Sequence, residues 1–296
     1  MPDTVFIIDA MAWIFRAFYS EDELHAPDGT PTNASFGFLH FLLRFLYRER
    51  PARVAVVFDS GPKSFRNDIF PDYKANRGET PPDLIPQFEH CERITEALGL
   101  ARFKVDHHEA DDIIATLATQ ARAEGCEVTI LSGDKDLAQL VDEGTRVIDP
   151  SRNSRFTMRT VPTKFGVKPS QMIDYLAMCG DSSDNIPGIP GVGPKTACAL
   201  LRELGSMDAI YASLDRVAGL PIRGAKTLGA KLSEHRELAE TCRSLVALRR
   251  DMDLNVCMDD LNWTGARRGE VENLFADLGF EHSLSAVPAF ADGEER

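Results

Sequence analysis

Three short apolar runs in the first half of the chain each end on an aspartate. Val5 to Ile8 leads to Asp9, and Arg53 to Phe58 leads to Asp59. Cys126 to Leu131 leads through Ser132 and Gly133 to Asp134, Lys135 and Asp136. Runs of this length, rich in Val and Ile, read as buried strands. Helical periodicity fills the gaps: Ala34 to Glu49, Leu84 to Leu98, and Ala110 to Ala123. Strands alternating with helices predict an α/β fold, a parallel twisted sheet flanked by helices. In such sheets ligands gather outside the carboxyl ends of the strands. One strand-end Asp is commonly a cap or a turn residue. Three in succession aim three carboxylates at one edge and predict a site there.

Two further motifs add acids. Glu109-Ala110-Asp111-Asp112 opens a helix. Acids in a first turn are stabilised by the macrodipole without any other role. On an ideal helix Glu109 and Asp112 share a face, with Asp111 elsewhere. The stretch Cys179 to Ala197, CGDSSDNIPGIPGVGPKTA, places Asp181 and Asp184 three residues apart, as one helical turn would align them. Its glycines Gly188, Gly191 and Gly193 allow a tight turn and a close approach to a ligand. Pro194, Lys195 and Thr196 then open a helix to Leu204, whose free amides suit an anion such as a DNA phosphate. An ordinary Gly/Pro loop between two helices is the plain alternative.

Asp9, Asp59, Glu109, Asp111, Asp112, Asp134, Asp136, Asp181 and Asp184 are nine carboxylates in five short motifs. Gathered together, they raise one another's pKa and call for counter-cations. Oxygen donors with few histidines favour Mg²⁺ or Mn²⁺ over zinc. Two such ions about 4 Å apart clamp the attacking and leaving oxygens of a phosphodiester. Lys74 and Arg77 are placed to neutralise a scissile phosphate.

The net charge of −13 opposes a nucleic-acid partner at first sight. Its distribution reverses that. The stretch from Asp251 onward holds eleven acids against three bases, and the nine acids above are assigned to metal. What remains is net basic. Arg152, Arg155, Arg159, Lys164 and Lys168 form a run without an intervening acid. Gly61 to Pro82 is polar, basic, broken by Pro and Gly, and long for a connection. There Phe65, Phe70 and Tyr73 interleave with Lys63, Arg66, Lys74 and Arg77, a pattern suited to stacked bases beside phosphates. The six scattered cysteines contain no C-x-x-C pair, which predicts free thiols in a reducing cytoplasm. No apolar run has transmembrane length and no signal pattern opens the chain, so no membrane partner is expected.

After Lys168 the strand signals fade. Helices are expected over Ser170 to Met178, Ala197 to Leu204, Met207 to Leu214, Gly224 to Ser233, Arg236 to Leu248 and Arg268 to Leu278. The boundary falls near Pro169: an α/β domain over 1–168, then an all-α domain over 169–296 with an acidic tail and a disordered end. Trp13 and Trp263 read as packing residues, and His107 and His108 as a solvated pair.

These motifs, in this order, resemble the 5′ nuclease family: the flap endonucleases and the 5′-exonuclease domain of bacterial DNA polymerase I. The resemblance runs from about Val5 to Leu284. It is strongest in Ile8-Asp9, Phe58-Asp59, Tyr73-Lys74-Ala75-Asn76-Arg77, Glu109 to Asp112, Gly133 to Asp136 and Cys179 to Ala197. It implies a PIN-like catalytic domain with a helical arch (about 61–82) and a helix–three-turn–helix motif (about 179–204). It implies Mg²⁺- or Mn²⁺-dependent cleavage of DNA carrying a 5′ flap or free 5′ end, with 5′→3′ exonuclease action. Arg16, Lys74 and Arg77 match the family's basic active-site and arch residues. Tyr73, Phe65, Arg66, Gly188, Gly191, Gly193, Lys195 and Thr196 are expected to meet DNA. A K⁺ at the hairpin would be held near Ser182, Ile189 and Val192. A polymerase and a ligase are the implied partners of a monomer. The length leaves no room for a polymerase, so the chain resembles a stand-alone enzyme. Two other readings stay open: a non-catalytic module of the same fold that binds DNA junctions, and a PIN-type ribonuclease.

Overall fold

Residues 3–291 are described by the computed structural model. The first strand, β1 (Thr4–Asp9), is central. α1 (Ala10–Ser20) follows directly, with Asp9 as its N-cap. Then come α2 (Asn33–Glu49), β2 (Arg53–Val57), α3 (Phe65–Ile69), α4 (Ile85–Ala97), β3 (Ala101–Phe103), α5 (Ala110–Ala123) and β4 (Glu127–Leu131). β5 (Thr145–Asp149), β6 (Ser154–Phe156) and α6 (Thr160–Phe165) complete the α/β part. The sheet order is β3-β2-β1-β4-β5-β6, parallel except for the last pair. This is a mixed, parallel-dominated sheet flanked by helices. β3, β5, β6, α1 and α6 carry no expectation from sequence; the strands among them are short or polar and were passed over.

The inner strands are buried on both faces, so they read as apolar runs without alternation. Val5 and Ile7 face one core with Ala55, Val57, Val128 and Ile130. Ile8, Val54 and Val56 face the other. Against the first face pack α5 and the helical part: α7 (Met172–Cys179), α8 (Pro194–Leu204), α9 (Met207–Tyr211), α10 (Leu214–Val217), α11 (Ala225–Glu234) and α12 (Arg236–Val246). After β6 the named elements among the described residues are all helical.

The end of the chain departs from the expected division. α13 (Arg268–Leu278) lies in the second core, where Val271, Leu274, Phe275 and Phe280 join Leu42 and Ile94. Trp263 donates from its indole to the Leu98 carbonyl at 2.8 Å, and its amide meets the Ala52 carbonyl at 2.8 Å. The acidic tail thus returns to the α/β body through its apolar residues. The expected disordered end lies largely outside the described residues. Among the described residues no helix is long and apolar enough to cross a membrane.

The 61–82 segment also differs from an extended helical arch. It holds only the five-residue α3, then turns. Those turns are fastened to the 181–186 loop. The Lys74 amide meets the Asp184 carbonyl at 2.9 Å, Asn76 Nδ2 the Ser182 carbonyl at 2.6 Å, and Asn185 Nδ2 the Asp72 carbonyl at 2.7 Å.

A candidate metal centre at the strand ends

The strand termini do bring the acids together. Asp9, Asp59, Glu109, Asp111 and Asp134 line one cleft of about 630 Å³, with Arg16, Lys74 and Arg77. Each is held by its own local structure. Asp9 accepts from the Ala12 amide at 3.3 Å and from Ser132 Oγ at 2.6 Å. Asp59 accepts from the Ala110 amide at 2.6 Å, which ties β2 to the start of α5. Asp134 accepts from the Asp136 amide at 2.8 Å. A fourth strand-end acid, Asp149, also lines the cleft. It was missed because its strand was missed. It is taken up locally by the amides of Ser151 and Arg152, at 3.0 and 3.3 Å.

The 181–186 loop supplies the second set. α7 stops at Gly180 (φ +74), so Asp181 and Asp184 lie on a turn and not on one helical face as expected. Reciprocal hydrogen bonds of 2.8 Å between Asp181 and Ile186 close that turn. Gly180 and Gly188 (φ +65) touch backbone to backbone: a Cβ on Gly188 would stand 2.3 Å from the Gly180 nitrogen. Carboxylate oxygens of Asp136, Asp181 and Asp184 come within 4.8 Å of one another.

Electrostatics divides the acids. Burial, reinforced by Asp59 and Asp134, pushes Asp9 up to about 7. Burial and Asp134 push Asp136 up to about 7 as well. Asp111 is driven well above the usual carboxylate range by burial and by its neighbours Asp134 and Asp9. Glu109 behaves in the opposite way: burial raises it, but Lys74 and Arg66 outweigh that and hold it below the ordinary value. Asp181 is also buried, yet Lys135 and Ser183 draw it down. Buried carboxylates that cannot all be charged on their own are a site for cations. Asp136 Oδ1 is buried and without a hydrogen-bond partner. All donors are oxygens, the set that suits Mg²⁺ or Mn²⁺.

One expected ligand and three expected DNA contacts fall elsewhere. Asp112 is fully buried. Arg66 binds it bidentately, at 2.7 and 2.8 Å, and the Arg249 amide adds a bond of 2.9 Å. Fully buried, absent from the cleft lining and paired bidentately with Arg66, it is a structural ion pair. The helical-face expectation is inverted for a definite reason. Glu109 is the N-cap, with extended backbone (φ −90, ψ 154), so helical spacing does not apply to it. Asp111 joins Glu109 in the cleft, and Asp112 points into the core. Arg66, expected on the DNA face, is 1% exposed; its Nε donates to the Leu245 carbonyl at 2.7 Å. Phe65 is half-buried, with the Arg249 guanidinium 3.9 Å from its ring centre, and is not free to stack on a base. Tyr73 is buried. Its hydroxyl lies 3.1 Å from both Glu109 Oε2 and Asp184 Oδ2, so its one hydrogen serves one of them at a time.

Arg16, Lys74 and Arg77 do border the cleft. Lys74 Nζ lies 2.7 Å from Glu109, and Arg77 donates to Asp184 Oδ1 at 2.7 Å. Arg16 reaches Ser151 Oγ. Lys135 was not singled out from sequence; its ammonium donates to Asp181 Oδ2. Beyond the loop, Gly191 (φ +81) and Gly193 are exposed and Gly188 is buried. Lys195 is exposed and Thr196 half-buried in the first turn of α8. Ser182 is exposed, while Ile189 and Val192 are buried and turn inward. All six cysteines are free.

Known proteins resemble this chain in sequence and in fold. Residues 4–166 match the family described as 5′-3′ exonuclease, N-terminal resolvase-like domain. Residues 167–269 match 5′-3′ exonuclease, C-terminal SAM fold. DNA polymerase I of Pseudomonas aeruginosa is 42% identical over 279 residues, covering 94% of this chain and 31% of that protein. DNA polymerase I of Bacillus caldotenax is 37% identical, covering 100% of this chain and 34% of that protein. The chain therefore spans about a third of the length of these polymerases. A 5′-3′ exonuclease of Buchnera aphidicola is 33% identical, covering 87% of this chain and 90% of that protein. Among solved structures, the bacteriophage T5 D15 flap endonuclease, in a pseudo-enzyme–product complex with DNA and metal ions, has a TM-score of 0.68 at 22% identity. It covers 82% of this chain and 88% of that one. The catalytic core of Rad2 in complex with a DNA substrate has a TM-score of 0.61 at 17% identity, over 96% and 91% of the two chains. The two family matches are contiguous and together take in both the acid cleft and the hairpin, so the chain belongs to the 5′-3′ exonuclease family.

Proposed function

We propose that this chain is a structure-selective DNA 5′ nuclease, hydrolysing phosphodiesters at 5′ flaps and free 5′ ends with two divalent cations, Mg²⁺ or Mn²⁺. The observation that carries the reading is a cleft of strand-end carboxylates edged by Lys74, Arg77 and Arg16, with the Asp136–Asp181–Asp184 group beside it and Tyr73 and Lys74 reaching from Glu109 to Asp184. Asp9, Asp59, Glu109, Asp111 and Asp134 would hold one cation, and Asp136, Asp181 and Asp184 the other. The bound ions would supply Lewis acidity and an activated water for in-line displacement.

The chain's own groups do the rest. Lys74 and Arg77, drawn onto Glu109 and Asp184, are freed to meet phosphate once cations take up that negative charge. Arg16 is exposed on α1 at the cleft wall, where it can hold a neighbouring phosphate. The 185–193 loop and the eleven-residue α8 present amides and Lys195 to a duplex backbone. The Gly188, Gly191 and Gly193 positions let that backbone approach closely. A K⁺ at this hairpin would use main-chain carbonyls around Ser182, Ile189 and Val192. The reading makes the protein a monomer of the reducing cytoplasm that works on ends left by a polymerase and closed by a ligase.

The test is a labelled 5′-flap duplex with and without Mg²⁺ or Mn²⁺, beside a 3′-flap and a single-stranded RNA. Metal-dependent cutting at the base of the 5′ flap is the expected result. Tight binding without cutting would make the chain a junction-binding module, and cutting of the RNA alone would change the substrate.

A further inference from the structure

Asp181 is held asymmetrically. Its Oδ1 accepts from the Ser183 amide at 3.0 Å and from Ser183 Oγ at 2.6 Å, so that oxygen is fixed to its own loop. Its Oδ2 takes only the Lys135 ammonium, at 2.5 Å. The same ammonium lies 3.7 Å from Asp136 Oδ1, the buried oxygen that has no hydrogen-bond partner. Both are ligand-bearing residues of the Asp136–Asp181–Asp184 group. Asp184 has its own partners, Arg77 and Tyr73, on the far side. One ammonium therefore bridges two of the three carboxylates, Asp181 and Asp136, and is attached to the chain between Asp134 and Asp136.

We propose that Lys135 is a tethered counter-cation that competes with the divalent ion for this group and so sets its affinity. The inference rests on the assignment of these acids to a cation. Lys135 keeps 37% of its side chain exposed, so the ammonium has a way out to water when an ion arrives. A lysine suits this exchange: it is a compact, strongly hydrated charge on a flexible stem, with no fork to lock it to a carboxylate. An ion that enters must break the Lys135–Asp181 contact, and that contact subtracts from its binding. A charged hydrogen bond of this kind weakens a competitor by on the order of tenfold. In return the contact neutralises the acids while no ion is bound. The residue acts through Asp181 and Asp136 and is a positioning residue, not a catalytic one.

The experiment is Mn²⁺ titration of metal-free protein by calorimetry, without DNA, at about pH 8. Wild type is compared with Lys135→Met, Lys135→Gln and Lys135→Arg, and the unfolding of each is followed in EDTA. Both neutral variants should bind one of the two ions about tenfold more tightly and the other unchanged, and should melt lower in EDTA but not in Mn²⁺. Arginine, which keeps the charge, should not tighten binding. Neutral variants that bind Mn²⁺ as wild type does, or more weakly, would overturn this inference and leave the proposed function standing. A wild-type protein that binds no Mn²⁺ would overturn both. Lys135→Gln keeps a polar group at the position, so it serves if Lys135→Met does not fold in EDTA.

Discussion

The buried acids of the cleft and of the turn beside it fall into two opposite electrostatic states. On the sheet side, Asp9 and Asp111 are buried beside Asp59 and Asp134, and burial with mutual repulsion pushes both above the usual carboxylate range. Glu109 in the same cleft and Asp181 on the neighbouring turn are also buried but sit against Lys74 and Lys135, which draw them below their ordinary values. The difference lies in what the chain supplies as counter-charge. The segment following α3 and the Gly133–Asp136 turn bring cations to Glu109 and Asp181; β1 and β2 bring none. The sheet side is therefore left for an external cation to neutralise. Asp112 marks the far limit of the series, an acid so completely neutralised by Arg66 that it has left the site.

Removing charge from the two sets should have different effects. The largest is expected from Asp134→Asn, which keeps an acceptor for the Asp136 amide but removes a charge that repels Asp9, Asp111 and Asp136. Cleavage should fall by about a thousandfold, the scale of losing a group that organises transition-state charge. The metal-free protein should melt higher. Cleavage at the wild-type rate in a single-turnover assay would remove Asp134 from the site.

Next comes Arg66→Ala, which leaves Asp112 buried and unpaired. Urea denaturation should show a loss of roughly 3–5 kcal/mol. A double variant, Arg66→Met with Asp112→Leu, should recover much of it, because both charges are then gone. A loss below 1 kcal/mol for the single variant would mean that the pair is solvated.

The pH profile sharpens the contrast. Asp9 and Asp136 bind protons up to about 7 in the folded state, against 3.8 ordinarily. Their contribution to stability is full below about pH 4 and lost as pH rises to 7. Glu109 and Asp181 have the opposite sign. Their folded values are lowered, so their contribution is present above the ordinary values of 4.5 and 3.8 and lost in acid. Denaturation in EDTA should therefore show stability falling from pH 5 to pH 7. Saturating Mg²⁺ should flatten that slope. A metal-free profile that rises over this window would refute the account of the sheet side.

The smallest effect is expected outside the cleft. Lys195→Ala should weaken duplex binding modestly and reduce the salt slope of log K by about 1, one phosphate contact. An unchanged slope would place the duplex elsewhere.

Much of this arrangement was legible in the sequence because it repeats. Buried parallel strands show as apolar runs, and an acid at the end of each run lands at one edge whatever the details. Helices such as Ala110–Ala123 and Arg268–Leu278 were readable to the residue from their periodicity. The rest depended on contacts that no local pattern encodes. Arg66 looked like a DNA-facing cation because its partners, Asp112 and the Leu245 carbonyl, are distant in sequence. Tyr73 looked like a stacking residue because its neighbours are basic, yet its phenol is buried between acids. The face of Glu109 was misjudged because a capping residue does not follow helical spacing. Lys135 lies inside the Gly133–Asp136 motif, but its contact with Asp181 spans 46 residues and no local pattern encodes it.

The return of the chain end to the sheet bears on how the protein is made. The second core needs Val271, Leu274, Phe275, Leu278, Phe280 and Phe290 beside residues from the first hundred. A ribosome delivers those groups only after α5 through α12. The face carrying α2 and α4 must therefore wait, partly uncovered, while α5 through α12 are translated. The side of the sheet bearing the helical part can close earlier. Assembly of the molecule is thus ordered by synthesis, and a chain halted before α13 would present an apolar surface to whatever meets it first.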